Sequence, residues 1–375
     1  MRDPEDRSRL TNIPILRSVP RAIGALVIVG IFAFPAEIAS CQESFQVSGF
    51  AWLRGATDPD DPILLEEDFS AQIQAGLEWY FSPVTRAHLH VLGRDDRTGS
   101  RDENFGIVEA YLETIFRPAD DKLRVRAGAF FLPTSREHVD ALWENPYSIT
   151  PSALNAWMGE ELRPIGVDLD YSRGSFHLGA TLFGWNDAFG TLPAVRGWRL
   201  RNHVALIDET IVGRPDALSR ISVDTDDRPG WSVRGRWSTT RSLVQYTYID
   251  NRAGGGERSG VVPWRTPFHI LSAEWDRGNW TVAAESGWGE TWIPGLERFT
   301  EADLRASYLL VSRRFDRHRA SLRIDEMAVD DDDDLGLTLA WLWRPSPKIR
   351  ATIEMTALDD DIRAMAEVRT YFFLR

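Results

Sequence analysis

From residue 45 to its C-terminal end the chain returns again and again to one pattern, about ten residues of alternating apolar and polar side chains followed by a break. A period of two belongs to strands, whose successive side chains point to opposite faces. The plainest runs come last. Leu335, Leu337, Leu339, Trp341 and Trp343 share one parity, against Gly336, Thr338 and Ala340. After a Pro-Ser-Pro corner, Ile349, Ala351, Ile353, Met355 and Ala357 oppose Arg350, Thr352, Glu354 and Thr356. Finally Ala364, Ala366, Val368 and Phe372 oppose Arg363, Glu367 and Arg369. Roughly ten residues is what a tilted strand needs to cross a bilayer.

Further runs fall at 45–54, 69–81, 85–94, 105–117, 122–132, 164–172, 175–185, 230–239, 242–250, 266–276, 279–288, 302–314 and 318–326, about sixteen with the last three. An even number is the rule for bacterial single-chain barrels. The breaks alternate in length. Short ones lie at 82–84, 118–121, 173–174, 240–241, 277–278, 315–317 and 345–347. Longer ones lie at 55–68, 95–104, 133–163, 186–229, 251–265, 289–301, 327–334 and 359–362. Tight turns at one end and long loops at the other describe an all-β transmembrane antiparallel up-and-down barrel with both termini in the periplasm. A soluble sandwich has no reason to sort its loops this way. The break 186–229 has room for another strand or a helix, around 205–212.

Residues 22–34, AIGALVIVGIFAF, form the one apolar helical run. It is too short to span a membrane and suits the core of a secretory signal, with Arg17 and Arg21 before it and small residues after. Residues 1–41 are therefore expected to be a cleaved signal peptide, and 42–375 the barrel. The single cysteine, Cys41, excludes an internal disulfide. It follows Ile38-Ala39-Ser40, so lipidation of Cys41 stands as a second reading beside ordinary cleavage. A net charge of -13 argues against a nucleic-acid partner, which needs a basic surface. Fifteen Trp suit a protein whose rim sits at membrane–water interfaces.

If the apolar parity faces lipid, the other faces a lumen. That places Arg86, His88, His90, Arg94, Glu109, Glu113, Arg124, Arg126, Arg234, Arg236, Arg305, Arg319, Arg323, Arg350 and Arg369 on the pore wall. Unpaired charge is costly to bury, so the expectation is water inside, and about sixteen strands leave an aqueous bore. Such a wall filters solutes by size and field. The plainer alternative is that these charges pair across strands and hold the wall. A slight excess of arginine leans towards anions. The loop 133–163 carries Arg136, Glu137, Asp140, Glu144, Glu160, Glu161 and Arg163, with a helical turn around 152–158. Folded inward, it would set carboxylates opposite wall arginines at a constriction; otherwise it is an ordinary external loop. Asp330 to Asp334 read as an acidic outer loop without EF-hand spacing. No HExxH, GxSxG or paired metal spacing occurs, so neither metal, cofactor nor catalysis is expected.

Several stretches resemble known proteins. RVRAGAFFLPTSRE, residues 124–137, resembles a segment of the phosphate-selective porin O/P family, matching at Gly128, Phe130, Pro133 and Glu137. TPSALNAWMGEELRPIGVDL (150–169), DDRPGW (226–231), YIDNR (248–252) and 304–333 resemble proteobacterial porin-like proteins related to that group. The resemblance implies a sixteen-stranded trimeric outer-membrane channel, whose anion selectivity rests on lysine and arginine ladders. This chain departs with only two lysines, Lys122 and Lys348, and with Leu374-Arg375 after its last aromatic.

The function expected is passive diffusion of small hydrophilic solutes or inorganic anions through a weakly anion-preferring porin. It would sit in a Gram-negative outer membrane, in contact with lipid and lipopolysaccharide, as a homotrimer. Two alternatives compete. A barrel-form hydrolase would need a Ser/His pair on its lipid-facing rim. A structural or adhesive barrel would be plugged by its long loops.

Overall fold

The computed structural model describes residues 44–57, 69–95, 104–214, 217–256, 260–358 and 361–374. The expected signal segment and Cys41 lie outside the described residues.

Sixteen strands close one antiparallel barrel. They begin with β1 (Ser44–Ala56), β2 (Phe69–Tyr80), β3 (Thr85–Arg94), β4 (Phe105–Phe116), β5 (Asp121–Ala129), β6 (Ile165–Arg173) and β7 (Phe176–Gly184). A small separate hairpin, β8 (Thr210–Arg214) and β9 (Ala217–Arg220), interrupts the series. The wall resumes with β10 (Gly230–Ser238), β11 (Ser242–Asp250), β12 (Pro267–Arg277), β13 (Trp280–Thr291) and β14 (Ala302–Phe315). It ends with β15 (His318–Val329), β16 (Asp332–Ser346), β17 (Ile349–Leu358) and β18 (Asp361–Leu374). Neighbours in sequence pair with each other, and β18 closes on β1 with Trp52 opposite Arg369. Closure leaves no unpaired edge, the condition for a sheet to stand in lipid.

The short breaks are tight turns. Gly174 (φ 57) and Gly278 (φ 63) take the left-handed backbone that two-residue hairpins favour. One expected loop is shorter than its sequence implied. Asp332, Asp333 and Asp334 belong to β16 and pair with Val329, Ala328 and Met327, leaving Asp330 and Asp331 as the turn. Aspartate disfavours strands, but here the strand end projects with its side chains largely solvated.

The expected sidedness is present. Ile353 is 61% exposed and Met355 53%, whereas Glu354 and Thr352 are 2% exposed. Oily residues therefore point out and polar ones in, the reverse of a soluble domain. Ile353→Arg is accordingly expected to destabilise the folded barrel by roughly 2–4 kcal/mol, as for a cation on the lipid face near mid-bilayer. Urea titration of protein folded into phosphatidylcholine vesicles checks this, and an unchanged midpoint would refute the lipid-facing assignment.

Parity misleads in two places. A bulge between His90 and Val91 resets β4, so Val108 is fully buried while Ile107 is exposed. On β14 both faces are apolar. Leu304, Tyr308 and Leu310 point inward and are buried, and Leu309 points outward at 48% exposure. Arg305 shares the parity of Leu309 and is exposed on the outer surface, so it does not line the bore. The inward leucines could turn from water because they meet a packed interior. Phe130, Leu154, Trp157, Met158, Trp198, Phe268, Leu304 and Met327 belong to one buried cluster. The loop-side part of the barrel thus holds a dry core where open water was expected.

Candidate functional site: the inner wall and its two inward loops

The connection from β5 to β6 enters the bore. Its helix α1 (Ala153–Glu161) has every residue buried, with Ser152 capping the N-terminus by accepting from the Asn155 backbone. Capping at Ser152 after Pro151 starts the helix; the apolar Leu154, Trp157 and Met158 then commit it to the core cluster.

The loop is fastened to the opposite wall by charge. Arg323 of β15 donates to Glu137 (3.0 Å), to the Thr150 carbonyl (2.6 Å) and to the Pro151 carbonyl (3.0 Å). It also bonds Asp325 beside it at 2.7 Å. Glu354 of β17 accepts from the Ile149 amide at 2.6 Å. Arg350 and Arg369 converge on Glu144 at 2.9 and 3.1 Å, and both reach Glu367. Glu144 also accepts from the Tyr371 hydroxyl. At the inner tip, Leu142 and Trp143 hold left-handed backbone (φ 60 and 56). Leu142 packs on Phe50 and Trp52, and Trp143 stacks on Phe131 and His138. Packing on both sides is what maintains such strained conformers.

A second loop, 185–229, covers the first. It contains α2 (Thr191–Arg196) and the β8–β9 hairpin. Two adjacent glutamates at the end of α1 hold it. Glu160 pairs with Arg196 (2.5 Å) and Arg201 (2.7 Å). Burial opposes its ionisation, but the two guanidinium groups prevail and bring its carboxyl down to about 2. Glu161 accepts from Trp157 Nε1, from the Gly190 and Leu192 amides and from the Ser219 hydroxyl. No cation pairs with it among the described residues, and burial pushes its carboxyl up to about 7 against those four donors. Arg163 lies over the Phe131 ring and donates to the carbonyls of Val108, Gly159 and Ala205.

Of the residues assigned to the wall from sequence, all but Arg305 lie on the inward face, in two settings. Arg94, Arg323, Arg350 and Arg369 are buried against the loops; Arg94 donates to Glu209 and the Val204 carbonyl, both at 2.7 Å. For these four the pairing alternative holds. Towards the turns the wall is mixed: the side chains of Arg86 and Arg124 stay partly open, while His90, Arg126 and Arg234 are buried. Arg86, 31% exposed in its side chain, bridges Glu78 and Glu113. His88 bonds Glu78 at 2.6 Å, and His90 bonds Gln74 at 2.7 Å. Glu109 accepts from the Phe131 amide. Arg124, Arg126 and Arg234 share Asp168, and Arg124 and Arg234 also reach Asp170. Arg236 donates to His177, and Arg319 lies over the Tyr147 ring. In the loop, Arg136 faces Glu274 at 3.9 Å, and Asp140 is exposed.

Sequence reading missed Arg54, which bonds Glu367 at 2.9 Å inside the barrel, and the clamp residues Arg196, Arg201, His203 and Glu209. Arg54 shares the parity of Phe50 and Trp52, an aromatic inward face that resembled a lipid-facing one. The density of Arg and Trp in 196–203 was the available signal for the second loop. Among the described residues one group has metal-like geometry, Asp187, Asp224 and Asp226, in the second loop.

No protein-family model matches the chain, and no curated protein matches it. Solved outer-membrane barrels do. OmpT, an outer membrane protein of Vibrio cholerae folded in vitro, aligns over 90% of this chain and 100% of its own with TM-score 0.56 and 10% identity. OmpF of Salmonella typhi, in complex with daunomycin, aligns over 88% of this chain and 97% of its own with TM-score 0.54 and 11% identity. Likeness at this identity is a likeness of fold. The chain has the architecture of outer-membrane β-barrels.

Proposed function

We propose that the chain is an outer-membrane porin, a channel and not an enzyme, passing small hydrophilic solutes or inorganic anions with a weak anion preference. The carrying observation is a closed sixteen-strand wall whose inner face, towards the turns, keeps arginines partly open to solvent, Arg86 at 31% and Arg124 at 24% side-chain exposure. The inward loop 133–163 then sets the constriction, with Arg136 and Asp140 on its turn-side face. Kinship with the phosphate-selective porin O/P family, residence in a Gram-negative outer membrane and a homotrimeric state belong to the same proposal. Purified protein in planar bilayers is expected to give discrete ohmic steps, and a salt gradient a reversal potential of anion-favouring sign. A cation-favouring potential would remove the preference.

One observation favours a second reading. The dry cluster around α1 and the buried clamps make the loop side of the bore a packed plug. A plugged barrel would be folded and heat-modifiable yet give no steps in the same bilayers.

A further inference from the structure

At the turn end of the barrel the outward face carries a belt of exposed tryptophans, Trp79, Trp237, Trp280, Trp341 and Trp343. Such girdles mark headgroup level in membrane barrels. On three neighbouring strands the belt also carries charge. Arg277 of β12 and Arg313 of β14 each stand directly opposite Trp280 of β13, one on either side. Both arginines share the outward parity of their strands, with Trp275 and Leu309, and both are exposed. The Arg313 guanidinium lies over the Trp280 ring at 4.9 Å and the Phe315 ring at 4.5 Å. One step towards mid-barrel the outward row is Trp275, Val282, Val311 and Leu322, with no charge in it. The two cations thus sit where the apolar band ends.

Their charge is not met within the protein. Among the described residues neither guanidinium makes a hydrogen bond or an ion pair; the aromatic rings are the partners of Arg313. Asp276, beside Arg277 in sequence, has the opposite parity and accepts from the Thr281 hydroxyl at 2.6 Å. Asp316, in the turn after β14, is exposed and pairs with neither arginine. Each guanidinium carries five N–H donors, so the pair presents a dense set of donors to whatever lies outside. A stem packed on aromatic rings with its head at the interface is how arginine stands in a membrane surface. Charge on the lipid-facing side is tolerated at that level, where a polar headgroup can meet it.

We propose that Arg277 and Arg313 hold the phosphate of an anionic phospholipid in the periplasmic leaflet, with Trp280 packed along its polar–apolar junction. In the outer-membrane reading the turns face the periplasm, so the lipid at this level is phospholipid, and lipopolysaccharide lies at the other end of the barrel. Guanidinium suits a phosphate because its planar fork donates twice. Two cations with no carboxylate in the row favour a headgroup of net negative charge, to which basic side chains at a membrane surface are drawn. The ammonium of a zwitterionic headgroup would meet only like charge there. The inference rests on the outer-membrane barrel reading but does not depend on conductance.

Native mass spectrometry of the detergent-solubilised, heat-modifiable protein tests it with added phosphatidylglycerol, phosphatidylethanolamine or inorganic phosphate. The wild type is expected to retain phosphatidylglycerol in preference to phosphatidylethanolamine. Arg313→Gln is expected to weaken phosphatidylglycerol binding about tenfold, the scale of one hydrogen bond to a charged group. The double change Arg277→Gln with Arg313→Gln should erase the preference. Arg117→Gln, which removes an exposed cation just after β4 and outside the row, should leave it as it is. Equal retention of both lipids by the wild type, a preference that survives the double change, an equal loss in Arg117→Gln, or binding of inorganic phosphate alone would each overturn the proposal. Loss of heat-modifiable migration in the wild type would instead refute the barrel reading beneath it.

Discussion

Arg323→Ala is expected to free the loop 133–163 from the barrel wall, raising single-channel conductance several-fold and opening the loop to protease. Arg323 is 1% exposed and donates to Asp325, Glu137, the Thr150 and Pro151 carbonyls and the Ser148 and Thr338 hydroxyls. Truncating it leaves Glu137 and Asp325 buried without this cation. Breaking a buried pair by removing one partner costs about 3–5 kcal/mol. The wall itself does not bear that loss, because its strands are held by their own backbone ladders to β14 and β16. The loop bears it, since Arg323 is one of several wall residues that anchor it on that side, with Asp325, Glu354, Arg363 and the Arg350–Arg369 pair. Limited proteolysis of folded protein, read beside bilayer conductance, separates the outcomes. Unchanged conductance with the loop cleaved would show that the loop does not constrict the path. Should Arg323→Ala fail to fold, Glu137→Gln weakens the same contact while keeping a neutral acceptor in place. It is expected to move both readouts in the same direction by less.

The wall was legible in sequence because lipid imposes a strict rule on it. Ile349, Ile353 and Met355 on one parity, against Arg350, Thr352 and Glu354, could only describe a strand with an oily outside. The sixteen strands and their turns follow from repetition of that rule. The interior was less legible because two environments there look alike. Phe50 and Trp52 face inward onto Leu142, yet read in isolation they match a lipid-facing pair. Leu304 and Leu310 do the same on β14, and so Arg305 was assigned to the wrong side. Alternation shows that two faces differ; it does not show which one meets lipid when a folded loop supplies a second apolar surface. The charge count had the same ambiguity. Arg350, Arg369, Glu144 and Glu367 implied water when taken singly, but their pairing depends on a loop more than two hundred residues away in sequence. No local pattern encodes that contact. The acidic and basic residues of 133–163 were the one hint, and they do meet the wall arginines.

The largest effect of acid should appear in the second loop, and its sign changes with pH. Glu160 is charged in the docked state, held down to about 2 by Arg196 and Arg201. A free glutamate titrates near ~4.3, so this clamp is fully present above that pH and is lost as pH falls towards 2. Glu161 runs the other way. Burial pushes it up to about 7 in the docked state, so the docked form takes up a proton that the undocked form would still lack. Docking therefore strengthens as pH drops from about 8 to about 5, through Glu161. Below about 4 it weakens again as Glu160 is neutralised. Protection of amides in 185–229, followed by hydrogen exchange corrected for intrinsic rate, should pass through a maximum near pH 5. Glu160→Ala is expected to deprive buried Arg196 of its only carboxylate partner among the described residues. It should lower docking stability by about 3–5 kcal/mol and lessen the loosening below pH 4, leaving the part carried by Glu209, whose carboxyl His203 and Arg94 also hold low. The rise between pH 8 and 5 should survive in that variant, because Glu161 and its four donors remain. A protection profile that falls monotonically with acid in the wild type would rule out the role assigned to Glu161. Identical profiles for wild type and Glu160→Ala would show that the second loop is held by its apolar contacts, Leu192, Ala205, Ile211 and Ile221, and not by the paired glutamates.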